Sequence, residues 1–301
     1  MIEATLLLPY SLAPLLSRSL QYYTSRMKNP LPLLPRFAAV FVCATCGVTA
    51  VAAHSQDWAK TTLNKSPRHQ EWVKVTYGSR TVNAFVVYPE VSHKAPVVLL
   101  IHEIFGLTDW ARSMADDIAA MGYIVIAPDL LSGFGPNGGD TSAFPDMQSA
   151  TKAVSGLDPA TVTADLNAAA DYALKFPAAN GKLAVIGFCW GGGQSFRFAT
   201  QRKDLSAAFV FYGPPPPTDS LAAITAPVYG FYAGNDARIT ATVPATKDAM
   251  AAAGKKYETV IYDGAGHGFM RAGEDPTNTN AANTTARAEG LKRLEMLLKG
   301  M

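Results

Sequence analysis

KLAVIGFCWGGGQSFRFAT, residues 182–200, is the stretch on which the reading of the fold turns. Residues 183–186 are apolar and partly β-branched, as in a strand buried on both faces. Gly187-Phe188-Cys189-Trp190-Gly191 follows, and the residues beyond it have helical spacing. G-x-C-x-G between a strand and a helix is the nucleophile-elbow pattern, with cysteine in the serine position. So tight a turn crowds backbone against backbone, and the positions two before and two after its centre must be small. Gly187 and Gly191 meet that demand. The Cys189 sulfur is then expected to stand clear of the sheet at a helix N-terminus, where N–H groups favour a thiolate. A buried structural cysteine in a Gly-rich turn would carry the same spacing, so residues elsewhere must decide.

Outward from this stretch, the chain alternates strands and helices. Residues 72–77 and 81–88 alternate apolar and polar around Gly78-Ser79, which predicts a β-hairpin. Continuous apolar strands are expected at 97–101 and 123–127, with a helix at 109–121 stopped by Gly122. After the elbow, strands are predicted at 207–212, 228–233 and 257–262, and helices at 243–253 and 285–298. A helix at 161–175 precedes the elbow strand. Residues 130–150 are rich in Gly and read as one long loop, of a length that is usually functional. This alternation predicts a single α/β domain over residues 70–301, with a mostly parallel central sheet covered by helices on both faces.

The bulk properties set bounds. With 301 residues, 49% of them hydrophobic, the chain can bury a full core. A net charge of +2 gives no electrostatic argument for nucleic acid. Two of the three cysteines, Cys43 and Cys46, share a C-x-x-C spacing, but no second pair follows to suggest metal or redox chemistry. They lie in a charge-free apolar run, residues 37–50, behind Lys28 and Arg36 and before the small-x-small triplet Ala50-Val51-Ala52. This is the pattern of a secretion signal, with Met27 a natural start. Residues 1–53 are therefore expected to be an N-terminal extension and cleaved signal, residues 54–69 a linker, and the mature protein periplasmic or secreted without stable membrane attachment. Cys189 would then be its only thiol, unable to join an internal disulfide.

In open α/β sheets ligands gather at the carboxyl ends of the strands. There the sequence offers Glu103 after 97–101, Cys189 after 183–186, Asp236 after 228–233 and His267 after 257–262. Nucleophile, acid and histidine stand in α/β-hydrolase order. A thiol needs a base that takes its proton and later protonates a leaving group, and His267 can do both. Asp236 can fix the imidazole's tautomer and offset its charge. Neither a phosphate loop nor an H-E-x-x-H helix is present, so no cofactor and no metal is expected.

The residues His102-Glu103-Ile104-Phe105-Gly106-Leu107, Gly187-Phe188-Cys189-Trp190-Gly191-Gly192, Asp236 and His267-Gly268-Phe269-Met270-Arg271 together resemble the dienelactone hydrolase family, the carboxymethylenebutenolidases and their relatives. The resemblance runs from about residue 70 to the C-terminus. It implies an α/β-hydrolase fold and a Cys189–His267–Asp236 triad acting on small esters or lactones through a thioester. It also implies that Glu103 accompanies the thiol and helps it ionise, and that the N–H groups of Ile104 and Trp190 form the oxyanion hole. Relatives acting on dienelactones grip the substrate carboxylate with two arginines. Arg271 matches one; the other should follow Asp129, where this chain reads Leu130-Leu131-Ser132-Gly133-Phe134. The loop from Ser132 to Pro145 is expected to shape the pocket with Phe134 as a wall, although a surface loop with its Phe packed beneath would read the same. Two other readings stay open: a catalytically silent binding protein of this fold, and a hydrolase of peptides or polymer esters.

Overall fold

The computed structural model describes residues 56–301. The expected signal segment, with Met27, Cys43 and Cys46, lies outside the described residues. Half of the stretch read as a linker is helix α1 (Asp57–Asn64), which buries Ala59 and Leu63. Two apolar residues spaced i,i+4 suffice to seat a two-turn helix, but they are too few to stand out as a periodic pattern.

β1 (Gln70–Tyr77) and β2 (Arg80–Val87) form the predicted hairpin. Then come β3 (Ala95–Ile101), α2 (Asp109–Ala120) and β4 (Ile124–Pro128). The long connection that follows is not one open loop. It holds two short 3₁₀ turns, Pro136–Gly138 and Thr141–Ala143, and α3 (Met147–Ser155). Asp129 ties it back, accepting from the N–H of Leu131 at 3.0 Å and from the N–H and hydroxyl of Thr141 at 3.0 and 2.7 Å. α4 (Pro159–Leu174), β5 (Ala179–Phe188), α5 (Trp190–Gln201), β6 (Leu205–Phe211) and β7 (Val228–Ala233) follow. The chain closes with α6 (Ala237–Thr240), α7 (Val243–Ala252), β8 (Tyr257–Tyr262), α8 (Phe269–Ala272) and α9 (Ala281–Lys299).

The eight strands form one sheet in the order β1-β2-β4-β3-β5-β6-β7-β8. Only the β1–β2 and β2–β4 pairings are antiparallel; every pairing from β4 to β8 is parallel. This is the α/β-hydrolase arrangement that the alternation of elements predicts.

Alternate side chains of β3 and β5 point to opposite faces, as strand geometry requires. Val98, Leu100, Ala184 and Ile186 join Trp110 and Met114 of α2 and Leu294 of α9. Val97, Leu99, Leu183 and Val185 join Leu166 and Ala169 of α4 and Phe196 of α5 on the other face. These strand residues are all fully buried, each Val, Leu or Ile among them contributing on the order of 2 kcal/mol of apolar transfer.

The hairpin is anchored by charge. Asp165 of α4, 1% exposed, takes a bidentate contact from Arg80, with Nε–Oδ1 2.7 Å and Nη2–Oδ2 2.6 Å. It also accepts from the Tyr77 hydroxyl. Deleting one partner leaves the other buried and unpaired. Asp165→Ala is therefore expected to lower unfolding stability by about 3 kcal/mol, measured by urea denaturation. A loss of only a few tenths would mean the pair is not what holds the hairpin.

Candidate active site

β5 delivers Cys189 into a bend no ordinary residue would choose. Its φ is +57° with ψ −119°, in a region disfavoured for side chains other than glycine. The strain persists because the surrounding backbone leaves no alternative. A Cβ on Gly187 would sit 1.9 Å from the Gly191 carbonyl oxygen. One on Gly191 would lie 2.3 Å from the His102 oxygen and 2.4 Å from that of Ile101. Both glycines are therefore steric requirements of the turn, as the sequence pattern implies. The Cys189 N–H donates to the Phe211 carbonyl at 3.0 Å, and its own carbonyl accepts from Gly192 and Gly193 at 3.0 and 3.2 Å.

The strand ends converge on this sulfur. His267 Nε2 lies 3.1 Å from Cys189 Sγ, and Nδ1 of the same ring lies 2.5 Å from Asp236 Oδ2. Asp236, just past β7, is buried, while the imidazole stays partly open to solvent. Burial by itself would depress the histidine pKa, but hydrogen bonds to Cys189 and Asp236, reinforced by their charges, raise it to about 9. A thiol, an imidazole and a carboxylate in line can move a proton from sulfur and hold the resulting charge.

Glu103 is also brought here, but its partner is not the sulfur. It is buried at the end of β3, and its Oε2 accepts from Arg271 Nε at 2.8 Å. Burial pushes the Glu103 carboxyl up, and Arg271 opposes that only in part. The Arg271 guanidinium lies 5.2 Å from the centroid of the Phe105 ring. Two residues expected in separate roles, one beside the thiol and one on substrate, are thus an ion pair in the free protein.

Ile104 and Trp190 share one small apolar cluster with Leu131, Phe144, Ala150 and Val154. Trp190 opens α5, where an N–H has no partner within the helix. His102 fixes this corner. Its ring stacks on the Trp190 indole at 5.7 Å, and its Nδ1 lies 2.7 Å from the Glu103 carbonyl. Its Nε2 accepts from the Leu130 N–H at 3.4 Å. Burial holds its pKa down to about 4, so it stays neutral.

Phe134 is not brought to the triad. Its ring lies under the Arg80 guanidinium, 4.6 Å away, and borders a groove with Ser149, Lys152 and Leu157. The cause is the Arg80–Asp165 pair, which fixes the cation that the ring covers. A cavity of about 360 Å³ instead adjoins the loop after Ile104. Phe105, Leu107, Thr141, Phe144, Met147 and Ala150 line part of it.

Sequence reading passed over two contributors. Asn283 of α9 accepts from the Gly266 N–H at 2.8 Å and so sets the histidine loop. Tyr212, taken only as the end of a strand, packs edge-on against His267 with centroids 5.1 Å apart. Neither carries a local motif, since each acts across a long sequence separation.

Comparison with known proteins points to one family. The family model described as "Dienelactone hydrolase family" matches residues 82–299. A Methylorubrum extorquens protein named "Putative carboxymethylenebutenolidase" is 32% identical over 210 residues, which are 65% of this chain and 71% of its own. "Carboxymethylenebutenolidase 1" of Cupriavidus pinatubonensis is 28% identical over 223 residues, 73% of this chain and 94% of its own. A crystal structure from Klebsiella pneumoniae, described as a "Putative Dienelactone Hydrolase", superposes with a TM-score of 0.68 at 27% identity. That match covers 78% of this chain and 99% of the other.

The histidine gives a pH signature. Its folded pKa of about 9 lies above the ordinary 6.5, so its stabilising contribution is complete below pH 6.5 and is lost as pH rises through about 9. Unfolding free energies of the wild type and His267→Gln should accordingly differ most at pH 6.5 and converge toward pH 9. A gap that widens with pH would contradict the raised pKa.

Proposed function

The chain belongs to the dienelactone hydrolase family, and from that premise we propose that it hydrolyses small carboxylic esters or lactones with Cys189 as nucleophile and an acyl-thioester intermediate. The observation that carries the reading is the run of contacts from Asp236 through His267 to the sulfur, 2.5 Å and then 3.1 Å.

The sulfur, its proton passed to His267, attacks the carbonyl carbon. A C–S bond forms, and the carbonyl electron pair moves onto oxygen. The N–H groups of Ile104 and Trp190 are suited to receive that oxyanion, acting where charge develops rather than on the ground-state carbonyl. As the tetrahedral adduct collapses, the C–O bond to the leaving group breaks, and His267 protonates the departing oxygen. Water, deprotonated by the same imidazole, then attacks the thioester and releases the acid and the sulfur. Asp236 offsets the imidazolium charge in both halves.

The surroundings favour a small substrate. The cavity beside the Ile104 loop, where Phe105, Leu107, Phe144 and Met147 face Gln56, Thr108, Asp109 and Arg112, is of the size that takes a compact organic ligand. It shares Phe105 with the Arg271 contact, and Phe144 and Ala150 with the cluster around Ile104 and Trp190. Arg271 stands near the thiol side and Arg112 lines the cavity itself, while residues 130–134 contain no arginine. These cations favour esters and lactones that carry a carboxylate. We also propose export, supported by the basic and then apolar N-terminal pattern; N-terminal sequencing of secreted or periplasmic material would test it.

Cys189→Ala should lower hydrolysis of small aryl esters by about 10³-fold or more while circular dichroism and melting temperature stay unchanged. Retained turnover in that variant rejects Cys189 as the nucleophile.

A further inference from the structure

Three helices meet at one guanidinium. Arg287 of α9 sends Nη2 between two carboxylates, 2.9 Å from Asp117 Oδ2 of α2 and 2.7 Å from Oε2 of Glu274, just beyond α8. Its Nη1 donates to the Met270 carbonyl of α8 at 3.3 Å. The arginine and Glu274 side chains are 12% and 15% exposed, so the contact lies mostly out of water. Two carboxylates thus share one cation, and the surplus negative charge stands where burial makes it costly. The other charges that act on Asp117 are Asp116 of α2 and Arg68 ahead of β1, and these two are paired with each other at 2.6 Å.

The proposed chemistry does not use this cluster, yet it adjoins both halves of the triad. Glu274 follows the segment that begins at His267 and carries Arg271 in α8. The same Oε2 accepts from the Trp110 indole Nε1 at 3.1 Å. Trp110 is fully buried and meets Phe188, the residue before the nucleophile, edge-on with ring centroids 5.3 Å apart. One carboxylate oxygen therefore joins the histidine's segment to α9 on one side. On the other it reaches the elbow through an indole and a phenyl ring. A proton on the pair removes the ionic half of this tie and leaves the weaker, indole half.

We propose that Glu274 is a positioning residue whose charge draws the His267–Arg271 segment toward α9 and the elbow, and that a proton taken up by the Glu274–Asp117 pair lets that segment relax. The inference rests on the ester-hydrolase reading above and adds to it a residue that acts through His267 rather than on substrate. Burial pushes the Glu274 carboxyl from 4.5 up to about 7, with Arg287 opposing the rise and Asp117 adding to it. Because both carboxylates lean on Arg287, that proton belongs to the pair. A carboxyl raised on folding contributes stability that is complete below pH 4.5 and is lost as pH rises through about 7. Charging Glu274 therefore weakens the fold while it aligns the triad, and stability and activity move in opposite directions.

The test compares the wild type with Glu274→Gln in the full chain, using 4-nitrophenyl acetate from pH 5 to pH 8. Glutamine keeps an acceptor for Trp110 and stands in for the protonated acid. The ratio of wild-type kcat to variant kcat should be near one at pH 5 and rise to about fivefold at pH 8, with its midpoint near pH 7. KM should differ by less than about twofold, since Glu274 is not placed on substrate. Asp117→Asn, which leaves Arg287 to Glu274 alone, should move the midpoint down by about one pH unit. The melting temperatures of wild type and Glu274→Gln should coincide at pH 5, and at pH 8 the variant should melt higher. A merely structural ion pair would give the reverse, with melting temperature and kcat falling together in the variant. A ratio constant from pH 5 to pH 8, or a variant that melts below the wild type at pH 8, overturns the proposal. A wild type inert toward the ester overturns the ester-hydrolase reading and this inference with it, a result distinct from the other two.

Discussion

The constraint on which the rest depends is steric. Where β5 turns into α5, the carbonyls of Ile101, His102 and Gly191 approach positions 187 and 191 so closely that a Cβ at either would overlap oxygen. That closeness holds Cys189 at a positive φ it would not otherwise keep, and it sets the sulfur above the strand ends rather than among them. The parallel order from β4 to β8 then brings the loops after β3, β7 and β8 to the same edge. Chemistry is possible there because the backbone is forced; the hydrophobic faces of the sheet supply the force.

Electrostatics divides the site into two parts with different partners. On one side the thiol, imidazole and Asp236 form a chain whose middle member prefers to be charged. On the other, Glu103 is buried more deeply than anything around it can fully compensate, and Arg271 meets it from the solvent side. His102 stands between them as a neutral spacer, tying the Glu103 carbonyl to the Trp190 ring.

Much of this was legible from residue order. Apolar β-branched runs ending in Glu103, Cys189, Asp236 and His267 give both the parallel sheet and the candidate triad, because strand burial and strand-end chemistry are local signals. Three things were not legible. The α1 helix rests on two apolar residues, too few for periodicity. Phe134 looked like a pocket wall because it sits in a Gly-rich loop, but its position follows from a guanidinium held by an aspartate 85 residues beyond that arginine. Tyr212 reads in sequence as one more strand residue; its unusual φ, and a hydroxyl unpartnered among the described residues, exist only once α5, α8 and the end of β6 have packed together.

The central claim is that the acyl group passes through sulfur at position 189. The most direct measurement is acid quenching of the enzyme during turnover of 4-nitrophenyl acetate, followed by peptide mass spectrometry. The account predicts an acetyl group on the peptide bearing Cys189, appearing within the first turnover and lost on further incubation in water. Full turnover with that peptide unmodified, or with the acetyl group on another residue, would contradict it.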